Sequence, residues 1–395
     1  MDYIPRLLQP VLEKALKRDK SVLLLGPRQT GKTTLIRQIK TDYSISLVQP
    51  LIRQKYEKNP GLLSGEIEAI AEQKKNKPLI VIDEIQKVPI LFDVAQDLID
   101  RHIAKFILTG SSARKLRTTR GINLLPGRVV VLHLDSLTIS ELKNEPFTLE
   151  ELLQYGSLPG IIHTKNKKDK EIDLHSYVTT YLEEEIRLEA IVRNVGNFSN
   201  FLQLACSEAG AIVNLRKLSQ IIGVAHTTIA SYYQILEDCL IAERIEPLIE
   251  SKKRRRLTTA PRYLFFDLGI RRLGAEESTF SSTEHLGKLF EQFVGLELIK
   301  MARLFDPSIK IKFWRDSDQG PEVDWIIEKD NQYIPVEVKW TATPILQDIK
   351  HLKLFLEEYK KAKKAYLVCQ VTQKTKLAEN IFAISWKEIG QLITS

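Results

Sequence analysis

The stretch Gly26-Pro27-Arg28-Gln29-Thr30-Gly31-Lys32-Thr33 decides the fold class of this 395-residue chain. It fits the pattern G-x-x-x-x-G-K-[ST], it follows an apolar run at residues 21–25, and it opens a segment with helical periodicity. Glycines let the backbone curl so that successive N–H groups face an anion, and the positive end of the helix dipole favours the same charge. This context predicts a phosphate-binding loop between a strand and a helix, and it disfavours a glycine-rich turn without a ligand.

The predicted loop assigns roles to its polar side chains. Lys32 is expected to reach the β- and γ-phosphates of ATP, and the Thr33 hydroxyl is expected to ligate Mg²⁺. The residues expected to contact the nucleotide are Gly26, Pro27, Arg28, Gln29, Thr30, Gly31, Lys32, Thr33 and Thr34.

The apolar run at residues 79–82 is followed directly by two carboxylates, Asp83 and Glu84. A buried strand of a parallel sheet places such residues at its carboxyl edge, where ligands of open α/β folds bind. Asp83 is expected to hold the magnesium ion together with Thr33, and Glu84 is expected to orient and polarise the attacking water. The alternative is a strand that ends in a solvated acidic turn.

Polar residues end the next predicted strand, at Thr109 and Ser111, where a side chain would lie beside the γ-phosphate. Either residue is a candidate sensor of that phosphate. Four arginines follow, and one of them could reach the γ-phosphate of a neighbouring subunit and stabilise the charge of the transition state. They are Arg114, Arg117, Arg120 and Arg128. The alternative for each is a solvated surface arginine, and spacing does not choose among them.

Strand-like and helix-like segments alternate between residues 21 and 134, which indicates a parallel sheet covered by helices on both faces. The predicted strands are residues 21–25, 44–48, 79–82, 105–108 and 129–134. Helical periodicity dominates from residue 136 to 244, and alternation returns after residue 286. We therefore predict an α/β core at residues 1–135, a helical region at 136–274 and a second α/β domain at 275–395.

The composition is that of a globular protein, with 43% hydrophobic and 27% charged residues. No apolar run approaches the roughly 18 residues of a membrane-spanning helix, and residues 1–20 have the pattern of an amphipathic helix rather than a signal peptide. Cys206, Cys239 and Cys369 lack C-x-x-C spacing, which argues against a disulfide framework or a structural zinc. We therefore expect a cytoplasmic protein with no membrane partner. Its net charge of +8 permits contact with DNA without requiring it.

A helix-turn-helix is predicted at residues 215–240, with a glycine in the turn. Thr227, Thr228 and Ser231 would line the exposed start of its second helix, where DNA-binding versions contact bases or phosphates. The basic run at residues 252–256 could form the tip of a wing against a phosphate backbone. The pattern is equally typical of a winged helix that only packs or binds protein, because a fold alone does not carry function.

Near the C-terminus, the stretches at residues 322–325 (Glu-Val-Asp-Trp) and 335–339 (Pro-Val-Glu-Val-Lys) resemble the site of PD-(D/E)xK nucleases. If residues 330–331 form a two-residue hairpin turn, Asp324 lies directly across from Glu337. Opposed residues have Cβ atoms about 5 Å apart, and two carboxylates at that distance repel each other. A divalent cation between them would remove this repulsion.

Such a cation could activate water, with Lys339 orienting the nucleophile. Glu291, on a preceding predicted helix, matches the acidic helix position of these nucleases. The alternative is a hairpin whose alternating charges face water, with Lys339 neutralising Glu322 and Glu337.

Together these motifs closely resemble a large family, the prokaryotic AAA+-type ATPases that carry a C-terminal domain of uncharacterised function. The resemblance covers nearly the whole chain and implies an AAA+ core, a helical lid, a winged-helix segment and a restriction-endonuclease-like C-terminal domain. It also singles out Arg128 among the arginines. No role follows from Glu185, where many members have Asp. The resemblance rests on residues 26–34, 81–89, 108–112, 127–128, 177–181, 263–269 and 322–325.

Two functions fit the sequence. The first is an oligomeric, Mg²⁺-dependent ATPase that acts on or with nucleic acid and carries a C-terminal metal-dependent nuclease. The second is a regulatory ATPase whose winged-helix and nuclease-like domains bind protein or DNA partners without cutting. Both predict ATP as the ligand and a homo-oligomer. The extra strand before Asp83, together with Glu84 and Thr109, favours hydrolysis over phosphoryl transfer to a metabolite.

Overall fold

The computed structural model describes residues 3–112, 127–182, 195–249, 259–279, 282–316 and 320–394. The chain divides into two compact units. The first unit consists of residues 1–136 and 238–241, and the second of residues 137–237 and 242–395. The three domains inferred from composition and periodicity stay a prediction.

A parallel sheet forms the centre of the first unit. Its strands are β1 (Ser21–Leu25), β2 (Tyr43–Ser46), β3 (Leu79–Asp83), β4 (Lys105–Gly110) and β5 (Val129–His133). They pair in the order β2-β3-β4-β1-β5, and every pairing is parallel. Because β4 lies between β1 and β3, the carboxyl ends of these three strands form one continuous row at the same edge of the sheet.

Helices pack on this sheet through their apolar faces. They are α1 (Leu8–Lys17), α2 (Lys32–Ile36), α3 (Pro50–Lys58), α4 (Gly61–Glu72) and α5 (Leu91–Asp100). The core between α3, α4, α5 and the strands includes Tyr56, Phe92 and Phe106, all fully buried.

The predicted strands agree with the observed ones to within two residues. The second strand ends at Ser46, and α3 begins at Pro50, a residue favoured at the first helical position.

The second unit begins with helices and a short sheet. The described helices are α6 (Leu149–Tyr155), α7 (Pro159–His163), α8 (Lys167–Ser176), α9 (Val195–Ser207), α10 (Leu215–Ile222) and α11 (His226–Asp238), with a π-helical turn at Tyr177–Leu182. Strands β6 (Ala242–Ile245) and β7 (Arg262–Phe265) form an antiparallel pair. The predicted basic run at residues 252–256, between these strands, lies outside the described residues.

A mixed sheet forms the rest of the second unit. Its elements are α12 (Leu268–Gly274), α13 (Thr283–Phe305), β8 (Lys310–Arg315), β9 (Glu322–Lys329), β10 (Gln332–Val338), α14 (Lys350–Glu358), β11 (Ala365–Cys369), β12 (Thr375–Ala378), β13 (Ile381–Ser385) and α15 (Gln391–Thr394). The strand order is β12-β13-β11-β10-β9-β8, with parallel pairing at β10-β11 and β11-β13 only. This part of the chain is therefore an α/β domain with a mixed sheet.

The turn between β9 and β10 fixes how the two strands pair. Asp330 and Asn331 both have positive φ, 49° and 61°, as a two-residue hairpin turn requires. Val336 is paired with Trp325. The turn and register predicted from the sequence are confirmed, and Asp324 and Glu337 occupy the next opposed positions.

The state of the three cysteines and the length of the helices can be compared with the expectations of no disulfide framework and no membrane-spanning helix. Cys206, Cys239 and Cys369 are all buried thiols outside any disulfide. In the described ranges, no helix is long and apolar enough to cross a membrane.

Candidate nucleotide site and carboxylate cluster

The predicted phosphate loop connects the end of β1 to the start of α2. Gly31 has a φ of 94°, a left-handed conformation that side chains other than hydrogen disfavour. At Gly26 there is no room for a side chain, because a Cβ atom would lie 2.3 Å from the carbonyl oxygen of Leu134. The two glycines of the motif therefore shape the loop, one through backbone conformation and the other through close packing.

Two cations hold the backbone of this loop. Lys32 is buried, and its Nζ donates to the carbonyl oxygens of Gly26 at 2.7 Å and Pro27 at 2.9 Å. Arg6, which is also buried, donates to the carbonyl oxygens of Thr30 at 2.6 Å and Asp135 at 2.8 Å. The Lys32 ammonium thus lies against the loop, where phosphate oxygens bound by the loop would come within its reach.

Thr33 and Asp83, the predicted magnesium ligands, are neighbours. The Thr33 hydroxyl lies 3.4 Å from Asp83 Oδ2, and the Ser46 hydroxyl lies at the same distance from that oxygen. Hydroxyl and carboxylate oxygens are the hard ligands that Mg²⁺ prefers. The donor set therefore fits the metal that this kind of loop binds with its nucleotide.

Polar side chains from β3 and β4 form a network beside the loop. The Thr109 hydroxyl donates to Asp83 Oδ1 at 2.6 Å and accepts the backbone N–H of Glu84 at 2.9 Å. Ser111 donates to Glu84 Oε2 at 2.9 Å, and the Gln86 amide donates to the same oxygen and to the Ser111 hydroxyl. Glu84 itself has a φ of 59°, which is uncommon for a residue with a side chain. Of the two predicted sensor residues, Thr109 thus contacts the Asp83 carboxylate and Ser111 contacts the Glu84 carboxylate.

The second candidate site lies in the second unit, where β9, β10 and α13 contribute acidic side chains. Asp324 and Glu337 are 5% and 4% exposed. Asp324 Oδ2 accepts the backbone N–H of Val338 at 2.8 Å, and Glu337 Oε1 accepts the Lys339 ammonium at 2.8 Å. Glu337 Oε2 is buried without a hydrogen-bond partner among the described residues.

Glu291, the fourth predicted residue of this site, is bound to an arginine. Arg262 Nη1 lies 2.9 Å from Glu291 Oε1, and its Nη2 lies 3.4 Å from Glu322 Oε2. Over the part of the chain that the structure describes, no group of three or more Asp, Glu, His or Cys side chains is arranged to hold a metal ion. Glu291 faces Arg262 in this arrangement, and the expected set of metal ligands stays a prediction. Lys339 binds Glu337, as predicted, but Glu322 binds Arg262 and Arg315.

Burial shifts the proton affinities in this carboxylate cluster, which we define as Glu291, Glu322, Asp324 and Glu337. Burial raises the pKa of Asp324, and burial together with the Asp324 charge raises the pKa of Glu337 well above its ordinary value. The same two causes raise the pKa of Glu291 to about 8. Burial alone would lower the pKa of Lys339, but the charges of Glu337 and Asp324 outweigh it and raise that pKa. Burial and mutual repulsion thus favour the protonated forms of these carboxyl groups.

The helix-turn-helix has the predicted form. Gly223, with a φ of 77°, separates α10 from α11. Thr227 and Ser231 are exposed on the first turns of α11, and Thr228 is half-buried. The start of the second helix is therefore accessible, as contact with a nucleic acid would require.

Comparison with known families divides the chain into three matched regions. Residues 18–143 match the model of an AAA domain. The N-terminal part of the chain is thus a P-loop domain of the AAA type. Residues 147–279 and 286–389 match two models, each described as a domain of unknown function, DUF8612 and DUF4143.

Relatives with similar sequences include uncharacterized proteins of Mycobacterium tuberculosis and Mycobacterium bovis. Each is 28% identical over 342 residues, which is 84% of this chain and 73% of the relative.

Solved structures that are partly similar to this chain include three proteins. The Orc1 protein of Aeropyrum pernix, in complex with DNA, has a TM-score of 0.28 and 12% identity, over 70% of this chain and 94% of that one. Cdc6p of Pyrobaculum aerophilum has a TM-score of 0.28 and 13% identity, over 69% and 94%. The clamp loader delta protein of Bacillus subtilis has a TM-score of 0.27 and 11% identity, over 58% and 87%.

Arg128 lies in the AAA domain, directly before β5. Its guanidinium makes a two-pronged ion pair with Asp100 of α5, and about a third of its side chain is exposed. A role as an arginine that reaches a neighbouring subunit stays a prediction. The other candidates, Arg114, Arg117 and Arg120, lie outside the described residues, as does Glu185.

Sequence reasoning missed several polar residues in both sites. In the first unit these are Arg6, Ser46 and Gln86, and in the second unit Arg262. Gln86 follows Glu84 by two positions, so its closeness in the sequence could have indicated that its side chain lies near the Glu84 carboxylate. Arg262 is 29 and 60 residues from its partners along the chain, and no spacing rule links such positions.

Proposed function

We propose that the AAA domain binds ATP and hydrolyses it with magnesium. The observation that carries this proposal is the Thr109 hydroxyl, which joins the Asp83 carboxylate to the backbone of Glu84 beside the phosphate loop. The loop N–H groups and Lys32 would bind the phosphates, and Thr33 and Asp83 would hold Mg²⁺. Bound there, the ion neutralises charge on the phosphates.

Glu84 is the residue that we assign to the attacking water. Ser111 and Gln86 both donate to Oε2 and so orient the carboxylate, and the other oxygen, Oε1, would accept the proton of the water. The Thr109 hydroxyl fixes the position of the Asp83 carboxylate relative to the Glu84 backbone, because it hydrogen-bonds to both. Oriented groups of this kind lower the barrier because little reorganisation is needed when charge develops.

Two substitutions test the ATPase proposal. Lys32→Ala should abolish ATP binding, whereas Glu84→Gln should retain binding and lower kcat on the order of 100-fold or more. The exposed residues Lys40 and Glu72 supply matched controls, Lys40→Ala and Glu72→Gln. If magnesium-dependent hydrolysis persists unchanged in Lys32→Ala or Glu84→Gln, the proposal is wrong.

We further propose that the enzyme works as a homo-oligomer in which Arg128 reaches the neighbouring site. Exchange of its Asp100 partner for a phosphate would give it two acceptors of similar geometry. Arg128→Ala and dilution should each lower hydrolysis, and Arg101→Ala, an exposed arginine next to Asp100, should not. Full activity in a strict monomer would contradict this assembly.

For the second unit we propose a divalent-metal site that serves a nuclease. The buried Glu337 Oε2, which has no donor within the described ranges, favours it. Asp324 and Glu337 would hold the ion, joined by Glu291, and Lys339 would orient the nucleophile from its place beside Glu337. Bound there, the ion would polarise a phosphate and make water a better nucleophile.

Cleavage separates this proposal from the alternative of a regulatory ATPase whose second unit only binds partners. Purified protein with Mg²⁺ or Mn²⁺ should cut DNA or RNA, and Asp324→Ala should not. Binding without cutting, under every metal, would favour the binding-only alternative. Replacement of Thr227 and Ser231 by Glu should weaken DNA binding in either case, because the added charge would repel phosphates.

A further inference from the structure

Arg262 begins β7, opposite Ile245 at the end of β6, and its side chain points into the carboxylate cluster. Its backbone is bridged to Ile212, and the adjacent Pro261 carbonyl accepts the N–H of Val213. The side chain is 4% exposed, and its guanidinium stacks on the Phe313 ring at 4.4 Å from the centroid. A planar cation held from several sides in this way has little freedom to leave its position.

The guanidinium is shared between two carboxylates of the cluster. It lies 2.9 Å from Glu291 and 3.4 Å from Glu322, and Arg315 lies 3.4 Å from the same Glu322 oxygen. Glu322 would therefore keep a cation if Arg262 were removed. Glu291 would lose the ion pair that holds its carboxylate.

The two most buried carboxylates of the cluster, Asp324 and Glu337, have few hydrogen-bond donors among the described residues. Asp324 accepts one backbone N–H, and Glu337 accepts the Lys339 ammonium through Oε1 only. Glu337 Oε2 is buried and lacks a partner among the residues that the structure describes. A buried carboxylate oxygen without a donor is costly, and a cation next to it would relieve that cost.

We propose that Arg262 is the resident cation of the carboxylate cluster and competes with a divalent metal ion for Glu291. The inference rests on the proposed metal site and concerns its regulation. An arginine cannot lose its proton, so its charge opposes the arriving ion at every physiological pH. Metal binding then requires Glu291 to exchange the guanidinium for the ion. Since Arg262 belongs to the β6-β7 hairpin, anything that shifts this hairpin changes the metal affinity.

Metal affinity tests the competition directly. Isothermal titration of the full chain with MnCl₂, without nucleotide, should show binding on the order of tenfold tighter in Arg262→Gln than in wild type. Glutamine removes the charge but keeps an amide that can donate to Glu291. Arg244→Gln is the matched control, because Arg244 lies on the same hairpin and pairs with Glu246 away from the cluster. Its affinity should equal that of wild type.

The outcomes separate the two proposals. If wild type binds Mn²⁺ in a Glu337-dependent manner and Arg262→Gln binds it equally or more weakly, the competition is wrong and the metal site stands. If no variant shows binding that Glu337→Ala removes, the metal site itself is wrong, and the competition falls with it.

A measurement on the wild type covers the case in which Arg262→Gln does not fold. With arginine-selective ¹⁵N labelling, Arg262→Lys identifies the Nε–H resonance of Arg262. Saturating Mg²⁺ should shift this resonance, because the Glu291 carboxylate leaves the guanidinium to bind the ion. An unchanged resonance at saturation would overturn the competition.

Discussion

The Thr109 hydroxyl donates a hydrogen bond of 2.6 Å to Asp83 Oδ1. This contact joins the carboxyl ends of two adjacent parallel strands, and the same hydroxyl accepts the N–H of Glu84. Thr109 is fully buried and Asp83 nearly so. One hydroxyl thus places the proposed metal ligand and the proposed water-polarising residue relative to each other.

Replacement of Thr109 by valine should harm both stability and turnover. The change keeps the shape but leaves Asp83 Oδ1 and the Glu84 N–H without this partner, at a cost of about 1–3 kcal/mol. We expect a lower free energy of unfolding in urea and a reduced kcat. Thr109→Ser, which keeps the hydroxyl, is the control. A valine variant with wild-type kcat would show that the bond has no role in hydrolysis.

Replacement of Arg6 by alanine should weaken nucleotide binding. Arg6 connects the Thr30 carbonyl of the phosphate loop to the Asp135 carbonyl, and it is buried. Loss of hydrogen bonds from a charged donor, about 1.5–3 kcal/mol each, would loosen the loop. A fluorescent ATP analogue should report the loss of affinity in a titration. Arg18→Ala, an exposed arginine that follows α1, should bind normally.

Replacement of Asp267 by alanine should destabilise the second unit and leave ATP binding intact. Asp267 Oδ2 accepts the N–H of Ser157 at 2.7 Å, and Oδ1 accepts those of Gly269 and Ile270 at the start of α12. Unpaired buried N–H groups cost about 1–3 kcal/mol each, so a loss of several kcal/mol is expected in urea unfolding. The exposed Asp169 provides the control, Asp169→Ala. A variant that loses ATP binding but not stability would contradict this assignment.

The carboxylate cluster should make the stability depend on pH. The pKa of Glu291 is about 8 in the folded protein against an ordinary 4.5, so the folded state keeps a proton that the unfolded state has released. Its contribution to stability is full below about pH 4.5 and is lost as the pH rises through about 8. Thermal melts at about pH 6 and 8.5 should therefore differ less in Glu291→Gln than in wild type. Glu284→Gln, on the exposed face of α13, should behave like wild type.

Elements with strong local signals were predictable. The five strands of the first unit, the two helices around Gly223 and the turn at residues 330–331 all follow from apolar runs and from residues that tolerate positive φ. Their ends were less certain, since β2 ends at Ser46 although the apolar residues Leu47 and Val48 follow it. The local pattern of apolar and turn-forming residues therefore predicted which strands and helices exist better than it predicted where they end.

The two sites differ in how far the sequence describes them. The phosphate loop, Asp83 and Glu84 are contiguous motifs, so their placement followed from the order of the strands. Arg262 reaches Glu291 and Glu322 only after the chain has folded, and its partners lie in other elements. The sequence therefore showed the acidic residues of the cluster and not the cation that opposes them.

The three buried thiols have a practical consequence. Burial raises the pKa of Cys206 and of Cys369, so both remain protonated and react slowly with alkylating reagents. A cysteine introduced on the surface, for instance at the exposed Lys40 or Asp169, would then be modified far faster than the native ones. Fluorescent dyes can be attached to each unit in an otherwise unaltered protein, and the separation of the units can be followed through nucleotide binding and release.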